Sequence, residues 1–370
     1  MTKADKPKTA PIAAAAAALA LSGAAAAQSP AQSPVDANGL NQLPAMTVPP
    51  SSFLSPQARE AYIKATRDPR PMDPIALAPV VAQLRAGYDA TLNAALERTR
   101  TLYPVKVEHD TIAGVPVEVV TPKAGVTRAK AHKVLINLHG GAFMLGGGGP
   151  GGLMEAIPVA AVGGYRVITV DYRLAPEHHF PDASADVAAV YAALLKTYKP
   201  GHIGIYGCSS GGTLTAQATV WFQTHNLPRP GAIGVLCASL SPNFGGDSAY
   251  LAPPLNGNPP PALPVKDQRW KGTGETPYMA GVDLRSPLAQ PLGHPTVLAK
   301  FPPTLMITST RAPEMSAAVY SHAQLVKAGV DADLHVFEGL WHGFAADPRL
   351  PESRDYQDVI ARFFDRELKP

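Results

Sequence analysis

Cysteine is scarce: Cys208 and Cys237 are the only two in 370 residues, too few for a disulfide-rich scaffold or a multi-cysteine metal site. They leave two readings, a pair of thiols packed as small hydrophobes or one bridge in an oxidising compartment. Charge is scarce as well. Charged residues make up 16% of the chain, the formal net charge is +3, and acidic and basic residues are mixed without long runs of one sign. Such a chain has no electrostatic footprint for nucleic acid or an anionic membrane surface. Long apolar runs are missing too: the nearest candidate, Ile12 to Leu21, is rich in alanine and stops at Ser22-Gly23, short of the roughly 20 residues a membrane span needs. Apolar residues are not scarce. At 46% of the chain they can bury the core of one enzyme-sized globular domain. Proline is in excess, with 39 residues, about twice ordinary usage.

The first 27 residues read as a secretory signal peptide. Lys3, Lys6 and Lys8 form a basic n-region, the alanine-rich run follows, and Ala25-Ala26-Ala27 offers a small-residue cleavage site before Gln28. Three lysines and Asp5 give that segment +2, so removing it leaves 3 − 2 = +1 on the mature chain. No cysteine follows closely enough for lipid attachment. The expected location is periplasmic or secreted, with no membrane span left after cleavage. Residues 28–50, rich in Ala, Gln, Ser and Pro, read as a flexible lead-in, and residues 51–370 as the folded domain.

Within that domain, residues 55–66 and 75–100 have helical texture, the second with Ile75, Leu77, Val80, Val81, Leu84, Tyr88, Leu92 and Leu96 near helical spacing. From residue 105 short β-branched runs appear: Val105–Val107, Val117–Val120, Val134–Leu138, Val167–Val170, His202–Tyr206 and Ile233–Leu236. Between them lie helical stripes such as Val187, Val190, Tyr191, Leu194 and Leu195, with Asp182 as its expected N-cap. A last stripe, Tyr356, Val359, Ile360, Phe363 and Phe364, predicts a helix over 355–368. Strands alternating with helices predict an α/β fold with a mainly parallel sheet covered on both faces. Residues 241–303 break the rhythm and hold 13 of the prolines. Proline removes a donor and restrains its predecessor, so this stretch is an insertion, either plain surface loop or the wall of a site.

Three segments carry chemistry. Gly207-Cys208-Ser209-Ser210-Gly211 lies between a strand-like run and a helix-like one. A serine in a strained strand-to-helix turn projects its hydroxyl out of the sheet, and flanking glycines remove obstructing side chains. Gly246-Asp247-Ser248-Ala249 imitates half of this turn, but has Tyr250 where the second glycine belongs and no strand before it. Upstream, Val134–Leu138 runs into His139-Gly140-Gly141-Ala142-Phe143, where Gly140 and Gly141 could offer N–H groups to an oxyanion, with Ser210 N–H supplying another. The loop lacks the lysine and glycine spacing of a phosphate-binding loop. Downstream, His342 follows a strand-like run, where an imidazole could reach a serine from a neighbouring loop. His178 and His179 read as loop residues. No His-Glu-x-x-His or other metal spacing occurs, and no metal or organic cofactor is called for.

These segments resemble α/β-hydrolases, specifically the hormone-sensitive lipase-like esterases. The resemblance rests on His139-Gly140-Gly141-Ala142-Phe143, on Asp171-Tyr172-Arg173-Leu174-Ala175-Pro176-Glu177 with Phe180-Pro181, on the Ser209 turn and on the His342 segment, in the family's order from about residue 75 to 368. It implies a cap made of the N-terminal helices over residues 51–100 and part of the proline-rich insertion, above an apolar pocket. This sequence departs from the family in three places. Ala142 replaces the third glycine, Cys208 stands where an acidic residue is common, and Ala312 occupies the place of the expected triad aspartate. Glu314, two residues on, could orient His342 in a Ser-Glu-His triad, or could simply begin a helix over 314–327. Of the other nearby carboxylates, Glu338, four residues from His342, reads as a strand-end residue, and Asp283 falls on the cap side.

The leading expectation is a serine hydrolase that cleaves small uncharged carboxylic esters through an acyl-enzyme, with Ser209, His342 and Glu314 catalytic. The missing aspartate at position 312 motivates a second expectation, an exported binding protein that keeps the fold without catalysis. Amidase or acyltransferase chemistry would use the same groups, and product analysis would separate them.

Overall fold

The computed structural model describes residues 43, 45–69, 80–261 and 276–369. The expected signal peptide, most of the lead-in, Ile75 and Leu77 of the second helix and residues 262–275 of the insertion lie outside them. The chain divides into two units at Val48/Pro49; in the first, the described residues form no helix or strand. The second holds all the elements below.

In chain order these are α1 (Pro56–Arg67), α2 (Val81–Leu102), β1 (Val105–Ile112), β2 (Val115–Pro122), β3 (Val134–Leu138), α3 (Gly152–Gly163), β4 (Arg166–Val170), α4 (Asp182–Leu194), β5 (Ile203–Cys208), α5 (Ser210–Thr224), β6 (Ala232–Leu236), α6 (Ser248–Leu255), β7 (Thr304–Arg311), α7 (Met315–Lys327), β8 (Ala332–Trp341) and α8 (Pro351–Glu367). The eight strands make one sheet in the order β1-β2-β4-β3-β5-β6-β7-β8. β1 and β2 pair antiparallel, β2 meets β4 antiparallel, and every later pairing is parallel. Buried Val134, Leu135, Ile136, Leu138, Ile203, Ile205, Ile233 and Val235 fill the central strands. A parallel sheet buried on both faces reads in sequence as continuous β-branched runs, which is why these strands were visible there.

Helices cover both faces. α4 buries Val187, Val190, Tyr191 and Leu194 on one side, and α8 buries Tyr356, Ile360, Phe363 and Phe364 on the other. Two boundaries differ from expectation. Asp182 does not cap α4: Pro181 occupies the N-cap and Asp182 is the first helical residue, its carboxylate turned to Arg173 at 3.4 Å and His178 at 3.3 Å. α8 begins four residues before the expected start at 355, because Pro351 at N1 supplies a preset φ where an N–H is not needed.

α1 and the start of α2 reach the carboxyl end of the parallel strands, and α2 then runs back along α3 to β1, which begins at their amino end. Ser55 caps α1 by accepting from Ala58 N–H, and Pro56 starts it. Tyr62 of α1 packs 6.2 Å from the Trp341 ring, at the end of β8, and under the Arg311 guanidinium at the end of β7. Arg85 of α2 reaches the loop after β3, donating from Nε to Met144 O at 2.7 Å.

Candidate active site

The turn from β5 to α5 places Ser209. Its φ of 59° and ψ of −125° lie in a region that side-chain-bearing residues rarely adopt. The strain is held from both sides: Ser209 N–H donates to Leu236 O at 2.8 Å, and α5 starts at once with Ser210. Glycines at 207 and 211 are obligatory, since a Cβ on either would overlap Leu138 O. Ser210, as the first helical residue, has an N–H without an intrahelical acceptor.

His342 follows β8 and Glu314 follows β7, and the structure brings both to Ser209. Ser209 Oγ stands 3.0 Å from His342 Nε2, and His342 Nδ1 stands 2.9 Å from Glu314 Oε2. The hydroxyl donates to Nε2 and Nδ1–H donates to the carboxylate, which fixes the tautomer. Glu314 is fully buried at the N-cap of α7, so the helix-start reading and the triad reading describe the same residue. Ala312, also fully buried, keeps the expected aspartate's backbone position without its carboxylate. Burial pulls the His342 pKa down, but the charge and hydrogen bond of Glu314 override it and raise it to about 9. Glu338 is exposed and accepts from Ser51 Oγ at 3.0 Å, and Asp283 is tied to Arg285 at 2.9 Å. Ser248 has a bracing role that its sequence context does not signal. It accepts from Ser316 N–H at 2.8 Å and donates to Pro313 O at 2.9 Å, clamping the turn that carries Glu314.

The loop after β3 is built for close approach. Gly140 lies against the turn, where an added Cβ would stand 3.0 Å from Cys208 O and 3.3 Å from Ser209 Cβ. Gly141 has φ 124°, and Ala142 and Phe143 have φ 55° and 61°. The expected oxyanion role of Gly140 needs correcting. Its N–H donates to Glu155 Oε1 at 2.8 Å and is therefore occupied. Gly141, Ala142 and Ser210 keep N–H groups with no acceptor among the described residues. The motif spacing could not show this, because the acceptor lies 15 residues away on α3. The one available signal was a lone glutamate inside the apolar run Leu153-Met154-Glu155-Ala156-Ile157.

The Asp171–Pro181 segment latches that loop. Tyr172 OH donates to His139 O at 2.6 Å, and its ring stacks on the His139 imidazole at 4.3 Å. Ala175 N–H donates to Phe143 O at 2.8 Å, Arg173 pairs with Asp186 at 2.8 Å, and Glu177 accepts Arg85 at 2.8 Å. His178 meets Asp182, and His179 Nδ1 donates to Pro277 O at 3.1 Å, so both serve the loop.

The described parts of the insertion flank the site. Tyr278 stacks on Phe143 at 4.3 Å, and the Phe244 ring lies 6.1 Å from that of His342. Cys208 and Cys237 are free thiols, the first half-buried and the second buried. The interaction between the two raises the pKa of Cys208, with burial adding to it, and lowers that of Cys237. Among the described residues no three His, Cys, Asp or Glu side chains converge as a metal site, and no helix is long and apolar enough to cross a membrane.

Residues 135–346 match a protein family defined by the α/β-hydrolase fold. LipF of Mycobacterium tuberculosis (strain H37Rv), a carboxylesterase/phospholipase, is 30% identical over 248 residues, covering 63% of this chain and 62% of LipF. The crystal structure of esterase E25 is similar with a TM-score of 0.74 and 32% identity, covering 89% of this chain and 99% of that one. An esterase of the bacterial hormone-sensitive lipase family gives a TM-score of 0.69 at 26% identity, covering 85% and 99%.

Proposed function

The chain belongs to the α/β-hydrolase family, and from that membership we propose that it cleaves small uncharged carboxylic esters through an acyl-enzyme on Ser209. The observation that carries the proposal is the continuous relay Ser209–His342–Glu314, at 3.0 and 2.9 Å. Ester chemistry is favoured because LipF carries a carboxylesterase/phospholipase name and the two similar structures are esterases.

Ser209 Oγ attacks the acyl carbon while His342 Nε2 takes its proton. Glu314 holds the imidazole in the useful tautomer and stabilises the cation that forms. The oxyanion is received by the N–H groups of Ser210, Gly141 and Ala142, each such donor worth about 2.7 to 4 kcal/mol of barrier lowering. His342 then protonates the leaving alcohol, and water repeats the cycle to release the acid. The cap and the described ends of the insertion serve as walls of the acyl and alcohol subsites. Export to the periplasm or beyond is proposed from the N-terminal segment alone.

The binding-protein reading was motivated by the missing aspartate, and Glu314 beside His342 removes that motive. The direct test is turnover of p-nitrophenyl butyrate by the purified chain and by Ser209→Ala. A loss on the order of 10⁶-fold in kcat is expected. Wild-type turnover in Ser209→Ala would exclude the mechanism, and failure of a fluorophosphonate to label Ser209 in the wild-type chain would restore the binding-protein reading.

A further inference from the structure

We propose that Glu155 is a positioning residue that sets the gap between the oxyanion loop and the nucleophile turn. The inference rests on the ester-hydrolase reading of the same site and adds to it a residue outside the relay.

Glu155 projects from α3 under the junction of β3 and β5. Its Oε1 accepts Gly140 N–H at 2.8 Å, and its Oε2 accepts Cys208 N–H at 3.2 Å and Asn137 Nδ2 at 3.0 Å. The amide of Asn137 is oriented independently, since Thr169 Oγ1 donates to its Oδ1 at 2.8 Å and leaves Nδ2 to face Glu155. Three donors therefore converge on the carboxyl group, and among the described residues no acceptor does. Burial raises the Glu155 pKa to about 7 against the three donors, which favour the ionised form, and an NH2 group in place of either oxygen would face at least one of those donors.

What the carboxylate joins matters more than what it neutralises. Gly140 immediately precedes Gly141, whose N–H faces no acceptor, and Cys208 immediately precedes Ser209. One side chain thus holds, one residue upstream, both the backbone that donates to the oxyanion and the backbone that carries the nucleophile. The two strands already fix Leu138 opposite Gly207; β3 ends there, while β5 runs on to Cys208, paired with Leu236 of β6 on its other side. Past that last shared register position, Glu155 joins the two segments through Gly140 N–H and Cys208 N–H. Its tolerance is narrow, since Gly140 has only 3.3 Å between an added Cβ and Ser209 Cβ. A misplacement of about 1 Å between reacting groups can cost about 10²-fold in rate.

Glu155→Gln puts a donor against at least one of the three N–H groups, and Glu155→Asp keeps the charge but withdraws it by one methylene. Each folded variant, judged by circular dichroism, is expected to lose about 10²-fold in kcat on p-nitrophenyl butyrate with KM within about 3-fold of wild type. Phosphonylation of Ser209 by a fluorophosphonate, followed by mass spectrometry, needs the same oxyanion donors and should slow in parallel. A purely structural role would lower thermal stability and leave both rates unchanged, which would overturn the proposal. So would a raised KM at unchanged kcat. If one variant fails to fold, the other decides. A wild-type chain that is phosphonylated but hydrolyses no ester would sink the ester reading, while the labelling rates still decide the role of Glu155.

Discussion

His342 Nδ1 lies 2.9 Å from Oε2 of Glu314, a carboxylate with no exposed surface that reaches the imidazole from two residues beyond the expected position. The extra methylene of glutamate compensates for the displaced backbone, and Ser248 clamps the turn so that it can. Glu314→Gln is therefore expected to reduce kcat by about 10⁴-fold, the scale seen when a triad acid becomes an amide. Glu338→Gln should stay within about 3-fold, since an exposed surface change away from the relay acts weakly. Initial rates, with circular dichroism as the control for folding, check the ranking, and the reverse order would move the triad acid to Glu338.

The same carboxylate sets the pH dependence. A general base must be neutral, and Glu314 raises the His342 pKa to about 9, so the acid limb of kcat/KM in the free enzyme should lie on the alkaline side of an ordinary histidine. Replacing Glu314 by Gln removes the charge that favours the imidazolium, so the limb should move to lower pH even as the rate falls. The stability sign follows from the raised folded pKa: the contribution of the ion pair is fully present below the ordinary value of 6.5 and is lost as pH rises through about 9. A limb that stays in place in Glu314→Gln would contradict the coupling.

Gly141 and Ala142 are adjacent, both have positive φ, and they should respond oppositely. At φ 124° a Cβ on Gly141 would overlap Leu145 O, so Gly141→Ala must move the loop and its donors. The expected loss is about 10²- to 10³-fold in kcat, that of an oxyanion donor. Ala142→Gly relieves a left-handed alanine costing about 1–2 kcal/mol and adds unfolded-state freedom worth about 0.4–1 kcal/mol. Its melting temperature and kcat should stay near wild type or rise slightly. Equal damage from both substitutions would count against the loop geometry.

Much of this was legible in the residues because central parallel strands write themselves as β-branched runs and because the Ser209 turn needs glycine on both sides. Boundaries set by single side chains were less legible. Asp182 looks like a cap, yet Arg173 and His178 draw its carboxylate away from the helix. Gly140 looks like a donor, yet Glu155 takes its N–H, a partnership created only when α3 folds back beneath β3 and β5. The bracing of Glu314 by Ser248 and Ser316 joins residues 68 apart in sequence, and no local pattern encodes it.

The two cysteines should behave as thiols. Cys208 and Cys237 are free, and with Cys237 buried and Cys208 half-buried they should react slowly with an alkylating agent until the chain unfolds. Alkylation in denaturant without reductant should add two labels, and prior reduction should change nothing. A chain that takes up label only after reduction would establish a bridge instead.

Gly204 and Phe364 offer a test of the core beneath the site. Phe364 of α8 is fully buried against β5, and a Cβ on Gly204 would stand 2.6 Å from its Cε1 and 2.6 Å from Leu135 Cδ2. The glycine is thus where the last helix closes on the sheet. Gly204→Ala overpacks that contact and should cost about 1–3 kcal/mol, whereas Phe364→Ala leaves a cavity and should cost about 3–5 kcal/mol. In the double variant the new methyl faces the vacated space on one side and only Leu135 on the other. The combined cost should therefore fall short of the sum by about 0.5–3 kcal/mol. Urea unfolding of the four proteins measures the cycle, and additive costs would mean that Phe364 does not hold the position that makes residue 204 a glycine.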